Sequence, residues 1–237
     1  MADKIYYVIM VPMVYLAAVV FCGGILYHGL RWLTGRRHPS TLRIFSGRRP
    51  SRLAALYDAL LMPQVRRHAP WFWVFLLIYH IAFLLLILAH LDLIPGVRIM
   101  PEGSKHMLGA GAVGVAVTIS LGYFLLRRFR SPVRDISVFG DYLLLLLLLF
   151  TALTGDTISW ANSWNEAGFV LGKAELREYL KILTDFSFAN PRDVLYGSHY
   201  IVVVLHVLLA NLVLMLFPFT KVMHTFFTVP LNALRRG

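Results

Sequence analysis

The sequence predicts an all-α, polytopic membrane protein with five transmembrane helices. Of the 237 residues, 58% are hydrophobic and only 15% are charged, and several apolar runs are close to twenty residues long. An apolar run of that length is typical of a helix that crosses a bilayer. The five runs extend over about residues 5–30, 71–94, 107–126, 138–153 and 196–219. We expect a single membrane domain over residues 1–237.

The basic residues predict the orientation of the chain. The formal net charge is +11, and most lysines and arginines lie in three segments: the arginine-rich loop 31–70, the loop after the third run and the C-terminal tail. Loops that carry excess Lys and Arg stay on the cytoplasmic side, so these segments are expected inside and the N-terminus outside. Membrane topology explains this charge better than binding to nucleic acid does.

The chain has one cysteine, Cys22, inside the first apolar run. It therefore has no CxxC pair, no ligand set for an iron–sulfur cluster, no CxxCH haem-attachment motif and no internal disulfide. Any iron–sulfur chemistry is expected to belong to a partner subunit.

Four histidines mark the second and fifth runs. His80 and His90 lie in the second run, His206 lies in the fifth and His224 just beyond it. The two spans run in opposite directions, so equal depth pairs His90 with His206 and His80 with His224. Straight helices would separate the two histidines by about 15 Å on one span and about 27 Å on the other. Helix tilt and a bend at Pro218 are expected to absorb the difference.

The arrangement of these histidines favours haem over two other uses. A zinc ion needs its ligands in one small tetrahedron, and the two pairs are too far apart along the membrane axis to share one. A proton relay normally includes carboxylates within the membrane, and the predicted spans contain almost none besides Asp141. Two axial imidazoles from facing helices are the ligands of a b-type haem that carries electrons. The sequence therefore predicts two haem b groups.

The chain from the second run onward resembles the gamma subunit of membrane-bound respiratory nitrate reductase. It is equally similar to the related cytochromes b of sulfate-reducer redox complexes, whose cytoplasmic partner resembles heterodisulfide reductase. The motifs that carry the resemblance are YHIAFLLLILAH, HMLGAGAVG, LLRRFRSPVR followed by GDYLLL, and HVLLANLVLMLFPFTKVMH. The long arginine-rich first loop, the outer loop and the tail depart from the nitrate reductase subunit.

The resemblance implies which residues hold each cofactor. His90 and His206 would bind the outer haem and His80 and His224 the inner haem, as the topology also suggests. It implies an electron-transfer subunit of a quinol-oxidising or quinone-reducing complex, which exchanges electrons between menaquinone and a cytoplasmic iron–sulfur subunit. The chain would lie in a bacterial or archaeal cytoplasmic membrane as a multi-pass protein.

Two residues are candidates for the quinone site. The resemblance implies a basic residue at the start of the third span, and Lys105 is the nearest match, although the loop that precedes it is shorter here. His199, seven residues before His206, would lie on the same helix face and could contact a quinone or carry its proton; the alternative is a solvated interfacial histidine. Asp92 is either a proton acceptor or a polar residue at the end of its span.

Other interpretations of the sequence remain open. The histidines would be packed polar residues in a haem-free membrane anchor or assembly subunit, or they would line the pathway of a transporter. In the outer loop, Leu176, Tyr179 and Leu183 recur at helical spacing. They predict a helix that either lies flat on the membrane or covers the outer ends of the spans.

Overall fold

The fold is all-helical throughout the described part of the chain. The computed structural model describes residues 2–35, 52–99, 111–164, 172–195 and 199–236. Besides turns and short 3-10 segments, these ranges form the α-helices α1 (Ala2–Met10), α2 (Pro12–Thr34), α3 (Arg52–Leu61), α4 (Pro63–His68), α5 (Pro70–Leu91), α6 (Ala112–Arg128), α7 (Phe139–Trp164), α8 (Lys173–Thr184), α9 (Tyr200–Leu216) and α10 (His224–Arg236). The predicted all-α fold class is confirmed.

Four helical stretches are long and apolar enough to cross a membrane. They are Ala2–Thr34, Pro70–Leu91, Phe139–Trp160 and Tyr200–Phe219. The helix α6 occupies the third predicted run, whose first residues lie outside the described ranges. The chain is therefore a multi-pass membrane protein, and the fifth span stays a prediction.

The first membrane helix is interrupted at Val11 and Pro12. Pro12 has no N–H to continue the helical hydrogen bonds, so the turn that precedes it must find other partners. The carbonyl oxygen of Met10 accepts a hydrogen bond from the Tyr179 hydroxyl at 2.7 Å. That of Ile9 accepts one from the side-chain amide of Asn211 at 3.1 Å. The interruption thus ties α1 to α8 and α9, which lie far away in the sequence.

Four helices form an arc in which each helix packs on the next. The helix α5 packs on α6, α6 on α7, and α7 on α9, while α2 packs on the other side of α9. A core of Ala82, Val117 and Leu121 joins α5 and α6, and apolar side chains of α7 cover it. Within the described ranges α5 and α9 do not pack closely along their lengths, so they form the two ends of the arc.

The amphipathic helix α8 covers the ends of the helices on one side of the bundle. Its residues Tyr179 and Leu183 are buried in a cluster with Met10 and Val11 of the interrupted first helix and Val203 of α9. Burial raises the pKa of the Tyr179 hydroxyl, which keeps it a neutral hydrogen-bond donor. The apolar face of α8 thus packs on protein, which agrees with a helix that covers the ends of the spans.

The helix α9 ends where the sequence predicts a bend. The α-helical part of α9 stops at Leu216, Pro218 lies in a short 3-10 turn, and a second such turn leads into α10 at His224. The helix α2 reaches this turn closely: a Cβ atom added to Gly24 would overlap the ring of Pro218. Gly24 therefore lets α2 pack against the bent segment.

We expect Gly24→Ala to destabilise the protein. The added methyl group collides with Pro218, and overpacking of this kind costs about 1–3 kcal/mol. The matched control is Gly23→Ala in the same helix, where no atom lies within 4 Å of the added Cβ. Alanine is favoured over glycine in a helix by roughly 0.5–1 kcal/mol, so the control should be neutral or more stable. Thermal unfolding in detergent measures both, and equal midpoints for the two variants would contradict the prediction.

Candidate functional site

The structure brings His90 of α5 and His206 of α9 together across the arc. Their ring centres are 6.4 Å apart and the ring planes differ by 20°. We call these residues the outer pair, after the side that the sequence predicts. The helices α5 and α9 are not packed closely along their lengths, and these two rings come together between them.

A second pair of rings forms towards the other end of the same helices. His80 of α5 and His224, the first residue of α10, have ring centres 6.4 Å apart, with ring planes that differ by 74°. We call them the inner pair. The end of α9 at Leu216 makes this contact possible, because a straight continuation of α9 would carry His224 about 27 Å from His206 along the axis.

All four rings use the Nδ1 atom for a hydrogen bond to a backbone carbonyl. The acceptors are Leu76 for His80 (2.7 Å), Leu86 for His90 (2.7 Å), Thr151 for His206 (3.0 Å) and Lys221 for His224 (2.8 Å). A carbonyl oxygen only accepts, so Nδ1 carries the proton of each neutral ring. The lone pair is then on Nε2, which is the arrangement of a histidine that binds a metal.

The spacing and the number of donors fit a metal held between two imidazoles. Metal–nitrogen bonds of about 2.0–2.1 Å, with about 1.1 Å from each nitrogen to its ring centre, put two coaxial imidazoles about 6.3 Å apart. Each pair offers two nitrogen donors, and no three His, Cys, Asp or Glu residues gather as a metal site in the described ranges. Such a pair suits a metal whose remaining ligands come from a flat macrocycle.

A buried aspartate lies two residues after His90. The carboxylate of Asp92 is 2.5 Å from Nζ of Lys173 and 3.9 Å from Nη2 of Arg177, both on α8. Arg177 also donates to the carbonyl oxygen of Asp92 at 2.8 Å, and the backbone N–H of Ile99 donates to the carboxylate at 2.8 Å. These contacts fix the covering helix α8 to the end of α5 beside the outer pair.

A second buried aspartate anchors the inner pair. Asp141, in the first turn of α7, accepts hydrogen bonds from Nη1 of Arg128 at 3.2 Å and from Nζ of Lys221 at 2.8 Å. It also accepts from the N–H of Val138, which caps the start of α7. The carbonyl oxygen of Lys221 holds the ring of His224. One carboxylate therefore connects α6 and α7 to the residue that orients an inner histidine.

The other predicted site residues have different places. Lys105 lies outside the described residues, and His199 is exposed at the start of α9. Of the arginines near the inner end of α6, Arg128 is bound to Asp141 and Arg127 lies over the ring of Phe72 at 4.1 Å. The roles of Lys105 and His199 at a quinone site stay predictions.

The sequence reasoning missed the part of α7 that surrounds His206. Hydropathy ends the fourth run at Leu153, whereas α7 continues to Trp164. The hydroxyl of Thr154 lies 3.1 Å from Nδ1 of His206. A Cβ atom added to Gly155 would lie 3.1 Å from Cε1 of the same ring. The signal available in the sequence was the run of small and polar residues TALTGD, which is unusual beside a leucine run.

The chain belongs to the nitrate reductase gamma subunit family. The family model matches residues 71–237, which include all four paired histidines, α5 from its second residue onward and α6 to α10. The family proposed from the sequence motifs is thus confirmed.

A relative comes from Archaeoglobus fulgidus: the Hdr-like menaquinol oxidoreductase cytochrome b-like subunit. It is 30% identical over 172 residues, which cover 67% of this chain and 48% of the relative. The chain thus spans about half the length of this relative.

We expect Lys173→Met to destabilise the protein by about 1–3 kcal/mol, because it leaves the buried carboxylate of Asp92 without its closest cation. The double variant Asp92→Asn/Lys173→Met removes both charges and should recover much of the loss. The control is Lys181→Met, which removes an exposed lysine of the same helix. Thermal unfolding in detergent measures the three variants, and additive effects of the two substitutions would count against the ion pair.

Proposed function

We propose that the chain is a dihaem cytochrome b that transfers electrons between the menaquinone pool and an iron–sulfur partner subunit. It would form one membrane domain over residues 1–237, with five spans, the N-terminus outside and the C-terminus in the cytoplasm. The membrane would be the cytoplasmic membrane of a bacterium or an archaeon. The direction of electron flow stays open in this proposal.

The observation that carries the proposal is the geometry of the two histidine pairs. Both pairs have ring centres 6.4 Å apart, and all four rings keep Nδ1 occupied and Nε2 available. In an apolar helix bundle these nitrogens would be costly without a ligand. Two imidazoles per pair are the protein ligands that a b-type haem requires. Haem bound there would supply one-electron redox chemistry.

The chain's own residues would hold and orient the cofactors. The backbone carbonyls of Leu76, Leu86, Thr151 and Lys221 fix the rotation of each imidazole through Nδ1. The surrounding apolar helices would exclude water from the space between α5 and α9, which keeps the charge of the iron site in a poorly polar environment.

The remaining parts of the proposal come from the family and its relative. The name of the Archaeoglobus fulgidus protein includes a menaquinol oxidoreductase and a cytochrome b-like subunit, which supports a quinol substrate and membership in a larger complex. The chain has one cysteine, so iron–sulfur clusters would belong to another subunit. Lys105 and His199, both predicted to lie on the outer side, are the proposed quinone contacts.

A reduced-minus-oxidised optical spectrum of the purified protein tests the proposal. We expect b-type bands and about two haems per chain. Replacing either member of the outer pair by alanine should remove the outer haem and leave the inner one, because only the outer site would lose one of its two histidine ligands. Replacing either member of the inner pair by alanine should remove the inner haem and leave the outer one.

The control for these substitutions is His68→Ala, which changes an exposed histidine of α4. It should leave both haems in place. Unchanged haem content after all four single substitutions would refute the ligand assignment. If the wild-type protein showed no b-type bands, the haem-free membrane anchor or assembly subunit and the transporter would be the remaining interpretations.

We expect Gly155→Ala to disturb the outer haem selectively. Its Cβ would lie 3.1 Å from Cε1 of His206, so the ring must move by a few tenths of an ångström. The matched control is Gly140→Ala, also in α7, where no atom lies within 4 Å of the added Cβ. Redox titration of the two haem bands measures the effect. A shift in the midpoint potential of the inner haem alone, or equal shifts of the outer haem in Gly155→Ala and Gly140→Ala, would contradict the prediction.

A further inference from the structure

An acidic residue lies within the third of the four candidate membrane helices. Asp156 belongs to α7 and to the stretch Phe139–Trp160 that is apolar and long enough to cross a membrane. An ionisable group within a membrane span is costly, so it normally serves a function. Asp156 belongs neither to the histidine pairs nor to the ion-pair networks of Asp92 and Asp141, so those features do not explain why it is there.

The surroundings of Asp156 connect it to the outer pair. The turn of α7 that precedes it holds His206, through the carbonyl oxygen of Thr151, the hydroxyl of Thr154 and the close approach of Gly155. Asp156 itself is half-buried.

Helical spacing puts Asp156 at the same end of the bundle as His90. On α7, Leu148 and Ala152 pack on the core between α5 and α6, and Asp156 is the next residue in the same step of four. On α5, Ala82 and Leu86 pack on that core, and His90 is the next in the same step. Both residues therefore lie one turn beyond the apolar core, at its outer end.

We propose that Asp156 is the residue that accepts protons from the quinol oxidised beside the outer pair. This inference depends on the proposed function. Oxidation of one quinol to quinone releases two electrons and two protons. For each electron that leaves, one quinol O–H bond breaks and its proton forms an O–H bond with the Asp156 carboxylate. The electron would be accepted by the ferric iron that the outer pair would hold, and it would pass on through the inner pair to the iron–sulfur partner, so that this iron is ferric again before the second transfer. Asp156 then releases its proton to the outer side before the second transfer.

The groups around Asp156 suit this role. The hydroxyl of Thr118 on α6 donates to its carboxylate at 2.8 Å and so stabilises the ionised form that takes up a proton. Among the described residues of the neighbouring helices, His90 on α5 and His206 on α9 are titratable groups at this level.

Asp92, the other acidic residue near the outer pair, is less suited to accept a proton. Its carboxylate is buried and bound to Lys173 at 2.5 Å, and protonation would break that ion pair. Asp156 is bound to a neutral hydroxyl, so protonation costs it no ion pair.

The test compares Asp156→Asn, Asp156→Glu and the control Asp193→Asn, which changes an exposed aspartate in the turn before α9. Each protein, with both haems bound, is mixed with menadiol, a naphthoquinol without a tail, and haem reduction is followed over a range of pH. General-base groups contribute about 10²–10⁴-fold, so Asp156→Asn should slow reduction by about 100-fold or more and flatten its pH dependence. Asp156→Glu should recover much of the rate, and Asp193→Asn should behave as wild type.

Infrared titration gives a readout that does not depend on turnover. A carboxylic-acid band that titrates in the wild type should be missing from Asp156→Asn and present in Asp193→Asn. Asp156→Asn with both haems, an unchanged rate and an unchanged infrared titration would overturn the inference and leave the proposed function intact. If the wild-type protein contained no haem, that result would instead refute the proposed function.

A second variant covers the case in which Asp156→Asn does not assemble. Thr118→Val keeps the carboxylate and removes its hydrogen-bond donor. The pH profile of menadiol oxidation should then move to higher pH, because the ionised carboxylate has lost a stabilising contact. An unchanged profile would contradict the role of Asp156.

Discussion

The proposed site depends on one repeated interaction, the hydrogen bond between a histidine Nδ1 and a backbone carbonyl oxygen. Each ring gives its Nδ1 proton to a backbone carbonyl, which fixes the ring and leaves one lone pair without a backbone partner. A lone pair in an apolar bundle favours a second partner. The helices α5 and α9 lie at the ends of the arc and do not pack closely on each other, so a partner placed between the histidines would not have to separate packed helices.

Two buried carboxylates stabilise the two ends of this arrangement in the same way. Asp92 binds Lys173 and Arg177 of α8, and Asp141 binds Arg128 of α6 and Lys221 before α10. Each carboxylate thus joins elements that are distant in the sequence and lies close to a histidine. A buried charge is tolerated only when it is neutralised by well-placed partners, so each network also fixes the position of its helix ends.

Much of this molecule follows from local sequence patterns, and the rest depends on tertiary contacts. The apolar runs, the pairing of histidines at equal depth and the bend at Pro218 follow from hydropathy, helix geometry and the chemistry of proline. The length of α7 does not, because polar residues after Leu153 lower hydropathy while the helix continues to Trp164. Asp156 was missed for that reason. The contact of Asp92 with Lys173 has no sequence signal, since only folding brings the residues together.

The two pairs differ in one respect that their identical ligands would not suggest. The rings of the outer pair are nearly parallel, at 20°, whereas those of the inner pair are nearly perpendicular, at 74°. The orientation of imidazole planes about an iron determines how its d orbitals split, so the two irons of the proposed function would differ in magnetic anisotropy. Electron paramagnetic resonance would then distinguish two sites that each use two histidine nitrogens.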